Sequence, residues 1–324
     1  MNHPDGAIAA AFDFEAAVLA PFRMQPGLRR LAAGARQLHA VGAGSRHLQE
    51  KLLALQRQPP TALQALPGFD PTPALHTLAA QAAAEHPHCF GWDGRCLRAW
   101  RLGWAVDGDR PVPLAGDAAP LAEIGACLHQ LSPSWRLAAL LALACAEDFA
   151  IVDARSGIVP WLAVALPSHW APEHKIGLHF ADVHAPVADN QRLLAAADAL
   201  VHLMAAPARW ERFVWTLTPS PALDAHPALP AAARWPAGDE NAVAACAFWR
   251  SERQTFIPLP GAQQALFVIL VNVQPLAQAI TTAQQARRLH EALASMSAAV
   301  LRYRGLQSVQ APLLRWLSQR AGTA

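Results

Sequence analysis

Cysteine is scarce in this sequence, and no two cysteines have the spacing of a metal or redox motif. The five cysteines, at positions 89, 96, 127, 145 and 246, are an odd number and include no CxxC pair. Structural zinc sites and iron–sulfur clusters are usually held by closely spaced cysteines, and small disulfide scaffolds use an even number of them. The sequence therefore gives no support to a disulfide scaffold, a structural zinc or a cysteine-ligated cluster.

Charge is also sparse and nearly balanced. Lysine and arginine number 26 against 24 aspartates and glutamates among 324 residues, and the longest basic runs are the arginine pairs at 29–30 and 287–288. Without an extended basic stripe, we expect no nucleic-acid partner. The hydrophobic fraction of 53% predicts a folded chain with a sizeable core, and we favour one domain over two.

Targeting segments and common nucleotide motifs are missing as well. The first thirty residues carry Asp5, Asp13 and Glu15 and lack the basic and apolar regions of a secretory signal. The apolar stretch 137–144 is far shorter than the roughly 20 residues that span a bilayer. GxGxxG, GxxxxGK[ST], GxSxG and HExxH do not occur. We therefore expect a cytoplasmic chain without a membrane segment and without a flavin or nicotinamide site of its own.

Hydrophobic periodicity predicts a mixed chain of the α+β type. The predicted strands meet through short turns, which indicates antiparallel pairing. Residues 87–108 are expected to be irregular, and 218–240 a long loop. Helices are predicted over 28–56, 74–85, 120–130, 135–144, 193–207 and 280–301, and strands over 148–153, 159–166, 213–217, 246–257 and 265–273.

A polar run lies inside one predicted strand. Because side chains alternate along a strand, Arg250, Glu252 and Gln254 should share one face, with Arg253 and Thr255 on the other. In a central strand these charges need partners, and arginines on such a sheet could hold carboxylates, for example haem propionates. The alternative is an edge strand with a solvated polar face.

Four histidines follow one another at intervals of five residues. His169, His174, His179 and His184 lie in a region rich in proline and glycine. A neutral imidazole on a rigid turn near Pro186 could ligate haem iron or belong to a non-haem metal site. Each histidine taken alone is more often an ordinary surface or core residue.

Two acidic residues stand where an apolar helix gives way to a strand. Glu147 and Asp148 follow the apolar segment that ends at Cys145. In an apolar neighbourhood the pair could transfer protons. The alternative is a helix-end charge pair in water.

Six short segments are distinctive in their residues, order and spacing: PFRMQPGL at 21–28, AEDFAIV at 146–152, ALPSHW at 165–170, KIGLHFADVHAPV at 175–187, SERQTFIPLP at 251–260 and RYRGL at 302–306. Together they resemble the haem-dependent oxidative N-demethylase alpha-subunit family. The ERQT segment and the HAPV turn are the most specific of them.

The resemblance implies a fold and a reaction. The expected fold is a PAS-like antiparallel sheet flanked by helices, as a single haem-binding domain over 21–306 between a lead-in at 1–20 and a tail at 307–324. The expected cofactor is haem b, with electrons from partner reductase subunits that use NAD(P)H, flavin and iron–sulfur centres. The expected reaction oxidises a small secondary or methylated amine with O2 and releases formaldehyde. A haem sensor or carrier without turnover, or a haem-free interaction module, is the alternative.

The resemblance also suggests which residues hold the cofactor. The histidine of the family's turn falls on His184, which becomes the first candidate for the iron ligand, with His179 in reserve. Arg250 and Arg253 are expected near the propionates or the charge of the substrate, and Gln254 beside the cofactor.

Catalytic roles fall on three carboxylates. Glu252 begins the ERQ triplet, and the family's acidic pair falls on Glu147 and Asp148, which are expected to deliver protons. The chain departs from the family with Ala188 in place of a proline, Ala146 in place of a glutamine, and an apolar segment at 256–258 in place of a more basic one. Because these changes surround the expected pocket, the identity of the substrate stays open.

Overall fold

Eleven strands form two antiparallel sheets in the computed structural model, which describes residues 12–115, 119–230 and 233–322. The larger sheet has seven strands in the order β1-β9-β10-β11-β7-β8-β2, and the smaller has the order β3-β4-β5-β6. The strands are β1 Arg29–Arg30, β2 Leu63–Ala65, β3 Phe90–Trp92, β4 Cys96–Ala99, β5 Trp104–Asp107, β6 Arg110–Pro113, β7 Asp148–Asp153, β8 Trp161–Ala163, β9 Trp210–Thr218, β10 Phe248–Leu259 and β11 Gln264–Pro275.

Fourteen helices surround the sheets within the described ranges. They are α1 Phe14–Ala17, α2 Arg46–Arg57, α3 Pro59–Ala62, α4 Thr72–Glu85, α5 Ala122–Gln130, α6 Pro133–Ala144, α7 Phe180–His184, α8 Gln191–Ala195, α9 Ala197–Ala205, α10 Glu240–Ala245, α11 Leu276–Ala279, α12 Ala283–Ala294, α13 Ala298–Tyr303 and α14 Gln310–Ala321. None of the helices that the structure describes combines the length and apolar character needed to cross a membrane.

A long hairpin forms the centre of the larger sheet. β10 and β11 pair over their full lengths, from Phe248 opposite Pro275 to Leu259 opposite Gln264. A 3-10 turn at Pro260–Ala262 and the left-handed residue Gln263 reverse the chain between them. β9 pairs with the outer side of β10 and β7 with the outer side of β11, so both hairpin strands are central.

The two faces of this sheet meet different elements. Ile257, Leu266 and Val268 belong to the largest apolar cluster, which also contains the buried sides of α2, α4 and α6. Residues 137–144 of α6 are all buried, which explains why this helix is apolar on every side. On the opposite face, α9 packs against β7, β10 and β11.

A second core joins the C-terminal helices to the far end of the sheet. Trp215 and Trp249 stack there with ring centroids 5.0 Å apart, among apolar side chains of α12 and α13. Helix α14, in the region 307–324, adds Leu313 and Leu317, which are both fully buried.

Most predicted elements are present, and the antiparallel α+β class is confirmed. The predicted helix over 28–56 is wrong in its first part, because the helix begins only at Arg46. Three glycines at 34, 42 and 44 precede it, and Gly34 has φ +74°. Glycine is a poor helix former, so this stretch forms β1 and loops.

The expectation that 87–108 is irregular is also wrong. These residues form β3, β4 and β5 of the smaller sheet. Their strands have only three or four residues between turns at Gly94 and Gly103, both with positive φ. Runs this short carry no clear alternation, which is why the sequence pattern missed them.

Two predicted helices are divided. The helix expected over 280–301 becomes α12 and α13, separated where Ser295 ends one helix and the Ser297 side chain caps the next by accepting from the Val300 N–H. The helix expected over 193–207 becomes α8 and α9, with a break at Ala196. Capping by Ser297 therefore overrides a continuous apolar pattern at the first of these breaks.

Candidate functional site

Polar residues gather on one face of the larger sheet. In the register, Gln254 of β10 lies opposite Arg212 of β9, and Glu252 lies two residues along, between Val214 and Val271. Arg250 is two residues further on the same side. We call Arg212, Arg250, Glu252 and Gln254 the polar face. The prediction that the three β10 residues share a face is confirmed, and the edge-strand alternative is wrong because β10 is central.

Glu252 is oriented by its neighbour. The Gln254 side-chain amide donates to Oε2 of Glu252 at 2.6 Å, and only 9% of Glu252 is exposed. Among the residues that the structure describes, Oε1 has no hydrogen-bond donor. The carboxylate therefore presents one oxygen to the space above the sheet in a fixed direction.

Arg212 is a half-buried cation without a hydrogen-bond acceptor among the described residues. Its Nε is buried and makes no hydrogen bond with any described residue. Burial lowers the pKa of Arg212, an effect that the charge of Glu252 opposes. A desolvated guanidinium with open donors suits an anionic or polar ligand, for which its fork geometry is well matched. The sequence pattern predicts a strand that begins only at Phe213 and so omits Arg212, whereas alternation in a strand that begins at Trp210 includes it.

His184 closes the short helix α7 and faces this region with a free nitrogen. Its Nδ1 lies 2.8 Å from the carbonyl oxygen of Phe180, one turn earlier. A carbonyl only accepts, so Nδ1 carries the proton and Nε2 keeps its lone pair. Burial lowers the pKa of His184 to about 4; the bond to Phe180 opposes this, and the positive charge of Arg212 adds to it. The ring is therefore neutral near pH 7, as a metal ligand must be.

His179 is placed differently. Its Nδ1 accepts from the Ala181 backbone N–H at 3.2 Å as the cap of α7, which leaves the proton on Nε2. That nitrogen lies 3.5 Å from Oδ1 of Asp198, and a Cβ at Gly157 would lie 2.1 Å from it. Its Nδ1 is therefore engaged in capping α7, whereas its Nε2 only lies near the Asp198 carboxylate, which is 82% exposed.

The guanidinium group of Arg250 is hydrogen-bonded to protein acceptors. It is 2% exposed and donates to the Ser168 hydroxyl at 2.8 Å and to the carbonyl oxygens of Pro167, Ala222 and Leu223 at 2.8 to 3.0 Å. Burial lowers the pKa of Arg250 to about 10. Its hydrogen bonds tie two loops to the sheet, so its geometry supports a positioning role beside the site.

Arg253 lies on the other face of β10. Its Nε donates to Oε2 of Glu211 at 3.0 Å, and Nη1 donates to the Arg36 carbonyl at 2.9 Å. The structure therefore does not bring Arg253 together with His184, in agreement with the alternation expected for β10.

The acidic pair is buried and paired. The side chain of Glu147 is fully buried and accepts from the His39 backbone N–H at 3.0 Å, with its other oxygen 2.5 Å from Nδ1 of His39. Asp148 accepts from the Leu166 N–H at 2.8 Å, and its Oδ1 lies 3.0 Å from Nζ of Lys51 without hydrogen-bond alignment. The alternative of a helix-end pair in water is therefore wrong.

The donor set discriminates between kinds of metal site. Within residues 12–115, 119–230 and 233–322, no three histidine, cysteine or carboxylate side chains are grouped to bind a metal ion. A non-haem site needs such a group, whereas haem supplies four ring nitrogens and requires only an axial ligand. The free Nε2 of His184, close to the unpaired guanidinium of Arg212, fits the single protein ligand that haem iron requires.

The chain matches the model of a known protein family over most of its length. A family model described as haem-dependent oxidative N-demethylase, alpha subunit-like, matches residues 46–314. The match spans well over half of the 324 residues. It includes the whole polar face and all the histidines from 169 to 184.

Proposed function

The chain belongs to the haem-dependent oxidative N-demethylase alpha subunit-like family, and from this premise we propose that it is a haem-dependent oxygenase component that oxidises a small secondary or methylated amine. The observation that carries the proposal is the neutral imidazole of His184, with Nδ1 bonded to Phe180 and Nε2 open beside the polar face. We further propose that the larger sheet and the elements above its polar face form a PAS-like haem-binding unit.

His184 is the residue that would hold the iron of haem b, through Nε2. A hydrogen bond from the other ring nitrogen to a backbone carbonyl is the usual way in which proteins fix the orientation of a ligating histidine. Arg212 is the proposed partner of a propionate, because its guanidinium has open donors close to His184. This replaces Arg250 and Arg253 in that role, whose donors bind protein acceptors.

When bound, haem supplies the activation of O2. Glu252 is proposed to bind the ammonium group of the amine through the oxygen that Gln254 leaves free. Glu147 and Asp148 are proposed to support proton delivery, with His39, whose side chain is 25% exposed, as the point of contact with solvent. Removal of one N-methyl group by O2 consumes two electrons and two protons and yields the demethylated amine, formaldehyde and water.

Electron supply is proposed to come from partner subunits. The family description as an alpha subunit supports an assembly, and the sequence has no flavin or nicotinamide motif of its own. Reductase subunits that carry NAD(P)H, flavin and iron–sulfur centres would then reduce the haem in this chain.

The test is the visible spectrum of the purified chain after reconstitution with iron protoporphyrin IX. We expect a Soret band in the wild type, loss of its histidine-ligated form in His184→Ala, and retention in His179→Ala because Nδ1 of His179 caps α7. A wild type that takes up no haem contradicts the proposal.

Turnover separates an oxygenase from a haem sensor or carrier. With an external reductant and dimethylamine as a small methylated amine, the reconstituted chain should release formaldehyde, and Glu252→Gln should raise KM because it removes the charge that binds the ammonium group. Stable haem binding without formaldehyde would favour the sensor or carrier.

A further inference from the structure

His184 ends a helix that is too short to be stable by itself. α7 covers only Phe180–His184. Because the first turn of a helix is unfavourable to form, a helix of five residues depends on contacts from outside it. The direction of the His184 ring is tied to this helix, since its Nδ1 is bonded to the carbonyl oxygen of Phe180. The contacts that hold α7 therefore also direct the open Nε2.

Two side chains hold the carbonyl groups at the end of α7. A helix leaves its last carbonyl oxygens without partners inside the helix. The Val183 oxygen accepts from Nζ of Lys175 at 3.0 Å. The side-chain amide of Asn190 donates to the oxygens of His184 and Ala185, at 3.0 Å each. Lys175 and Asn190 thus bind the two peptide groups that flank His184.

The local sequence explains why Val183 needs a side-chain donor. The third residue after it is Pro186, which has no N–H. The fourth is Val187, whose N–H donates to the His184 oxygen at 3.1 Å instead. The side chain of Lys175 therefore supplies the hydrogen bond that the backbone after α7 does not give.

Lysine is rare in this chain, and both lysines bind the end of a helix. Lys51 and Lys175 are the only two in the sequence. Lys51 donates to carbonyl oxygens at the C-terminal end of α6, and Lys175 does so at the C-terminal end of α7. A cationic donor is favourable there because the carbonyl oxygens point outward from the helix.

Lys175 is anchored to the larger sheet. Two residues after it, the Gly177 N–H donates to the oxygen of Val159 at 2.8 Å. The Val159 N–H in turn donates to the oxygen of Leu178 at 3.1 Å. Val159 lies just before β8, so the backbone that carries Lys175 is held against this strand.

Asn190 is anchored to the C-terminal helices. The preceding residue, Asp189, accepts from the Ser297 hydroxyl at 2.8 Å. Ser297 is the N-cap of α13, where its oxygen also accepts from the Val300 N–H. The end of α7 is therefore held from two parts of the fold, the sheet through Lys175 and the C-terminal helices through Asn190.

We propose that Lys175 and Asn190 are positioning residues, which together direct Nε2 of His184 at the iron. The proposal rests on the proposed haem function, in which His184 holds the iron, and it gives neither residue a contact with the haem. A ligand that is already held in one direction binds more tightly than one that must be ordered on binding, because the cost of ordering is removed in advance.

The test measures the iron–histidine stretching band of the ferrous, haem-reconstituted full chain by resonance Raman spectroscopy. Lys175→Met keeps the aliphatic stem and removes the donor, and Asn190→Leu removes the amide at similar size. Each should lower and broaden the band and weaken haem binding by about tenfold, while a Soret band remains. Lys175→Arg keeps a cationic donor and should restore the wild-type band.

Arg192→Met is the matched control. Arg192 is exposed on α8 and makes no hydrogen bond with the residues that the structure describes. Its replacement removes the same charge from the same region without loosening α7. It should leave the band and the haem affinity as in the wild type.

A second measurement separates positioning from the charge of Lys175. In His184→Gly, free imidazole can take the place of the missing side chain and bind iron without attachment to α7. Its iron–imidazole band should therefore be the same with and without Lys175→Met. An equal shift in both backgrounds would show that Lys175 acts through its charge, and would overturn its positioning role.

The haem-free chain gives a third readout. Hydrogen exchange of the α7 amides should be faster in Lys175→Met and in Asn190→Leu, with wild-type rates in α9 and β10. Faster exchange throughout the chain in both variants would show a general effect on the fold, and would overturn the local role. Unchanged iron–histidine bands in both variants overturn the positioning role while the haem function stands. A wild type that takes up no haem overturns the proposed function and this proposal together.

Discussion

At the scale of single residues, three arginines with desolvated guanidinium groups differ in their partners. Arg250 has four protein acceptors and Arg304 has the Trp215 carbonyl at 2.8 Å, whereas Arg212 has no hydrogen bond with the described residues. A buried charge stabilises a fold only where its partners compensate for the lost hydration. Arg250 and Arg304 therefore stabilise the fold, whereas the guanidinium of Arg212 is available to bind a ligand.

Arg212→Met tests this distinction. The haem-free variant should unfold with a free energy that is unchanged within about 1 kcal/mol, because the half-buried guanidinium has no hydrogen-bond acceptor to lose and its attraction to Glu252 is partly screened by solvent. Its affinity for haem should fall by about tenfold or more, the value of one charge-assisted hydrogen bond. Urea unfolding and haem titration measure the two effects.

Arg304→Met is the matched control for stability. Arg304 lies over the rings of Phe22 and Trp215, with centroid distances of 4.7 and 5.1 Å, in addition to its hydrogen bond. Its replacement should destabilise the fold by about 2–4 kcal/mol. If Arg212→Met destabilises the chain equally and leaves haem affinity intact, Arg212 is structural and the propionate assignment fails.

At the scale of elements, Lys51 joins three parts of the fold. This residue of α2 is fully buried. Its ammonium group donates to the carbonyl oxygens of Ala142 and Cys145, at 3.1 and 3.2 Å, and to that of Glu147. The same group forms an ion pair with Asp148. It thus caps the C-terminal end of α6, where a cation is favourable, and holds α2 against the start of β7. The ion pair with Lys51 helps to position Asp148, which in turn accepts a hydrogen bond from the Leu166 N–H.

Lys51→Met should destabilise the chain by about 3–5 kcal/mol, because it leaves a buried carboxylate and several carbonyls without their cation. Equilibrium unfolding in urea measures the loss. Arg57→Ala, on the same helix, removes a pair with Asp224 at 3.1 Å in which Arg57 is 49% and Asp224 9% exposed. Because half of Arg57 is in solvent and Asp224 keeps its hydrogen bond from the His226 N–H at 3.0 Å, stability should change by about 1 kcal/mol. Equal effects of the two substitutions would show that the buried contact contributes nothing beyond a surface pair.

At the scale of the whole molecule, folding buries histidines in the neutral form. Burial lowers the pKa of His47, and lowers that of His184 to about 4, from an ordinary value of 6.5. Between these values the unfolded chain binds protons that the folded chain does not. Acid should therefore favour unfolding over this window, and the stability from neutral burial should be complete above pH 6.5.

The free energy of unfolding of the haem-free chain should therefore fall as the pH falls from 6.5 to about 4. His184→Gln should reduce the slope by at most about 1.4 kcal/mol per pH unit, the contribution of one proton. His174→Gln, at an exposed histidine, should leave the slope unchanged. Urea unfolding at several pH values measures the slope, and parallel curves for wild type and His184→Gln would contradict the neutral burial of His184.

The sequence by itself determined the features that depend on neighbours along the chain. Alternation in β10 put Arg250, Glu252 and Gln254 on one face, and helical periodicity located α4, α5 and α6. The bond that leaves Nε2 of His184 free comes from Phe180, only four residues earlier. Such features follow from local geometry, and the ordered motifs were sufficient to identify the family.

Only the tertiary structure decided which polar groups are already paired. The acceptors of Arg250 lie 27 to 83 residues away along the chain, and those of Lys51 more than 90 residues away. Whether Arg212 has a partner is likewise settled by strands and loops that meet it from distant segments. A charged side chain is free to bind a ligand only if the fold brings it no acceptor, and acceptors supplied by distant segments leave no trace in local sequence pattern. The sequence therefore predicted which residue types could bind a ligand. Long-range packing decided which of their charged groups have no acceptor in the protein and can bind one.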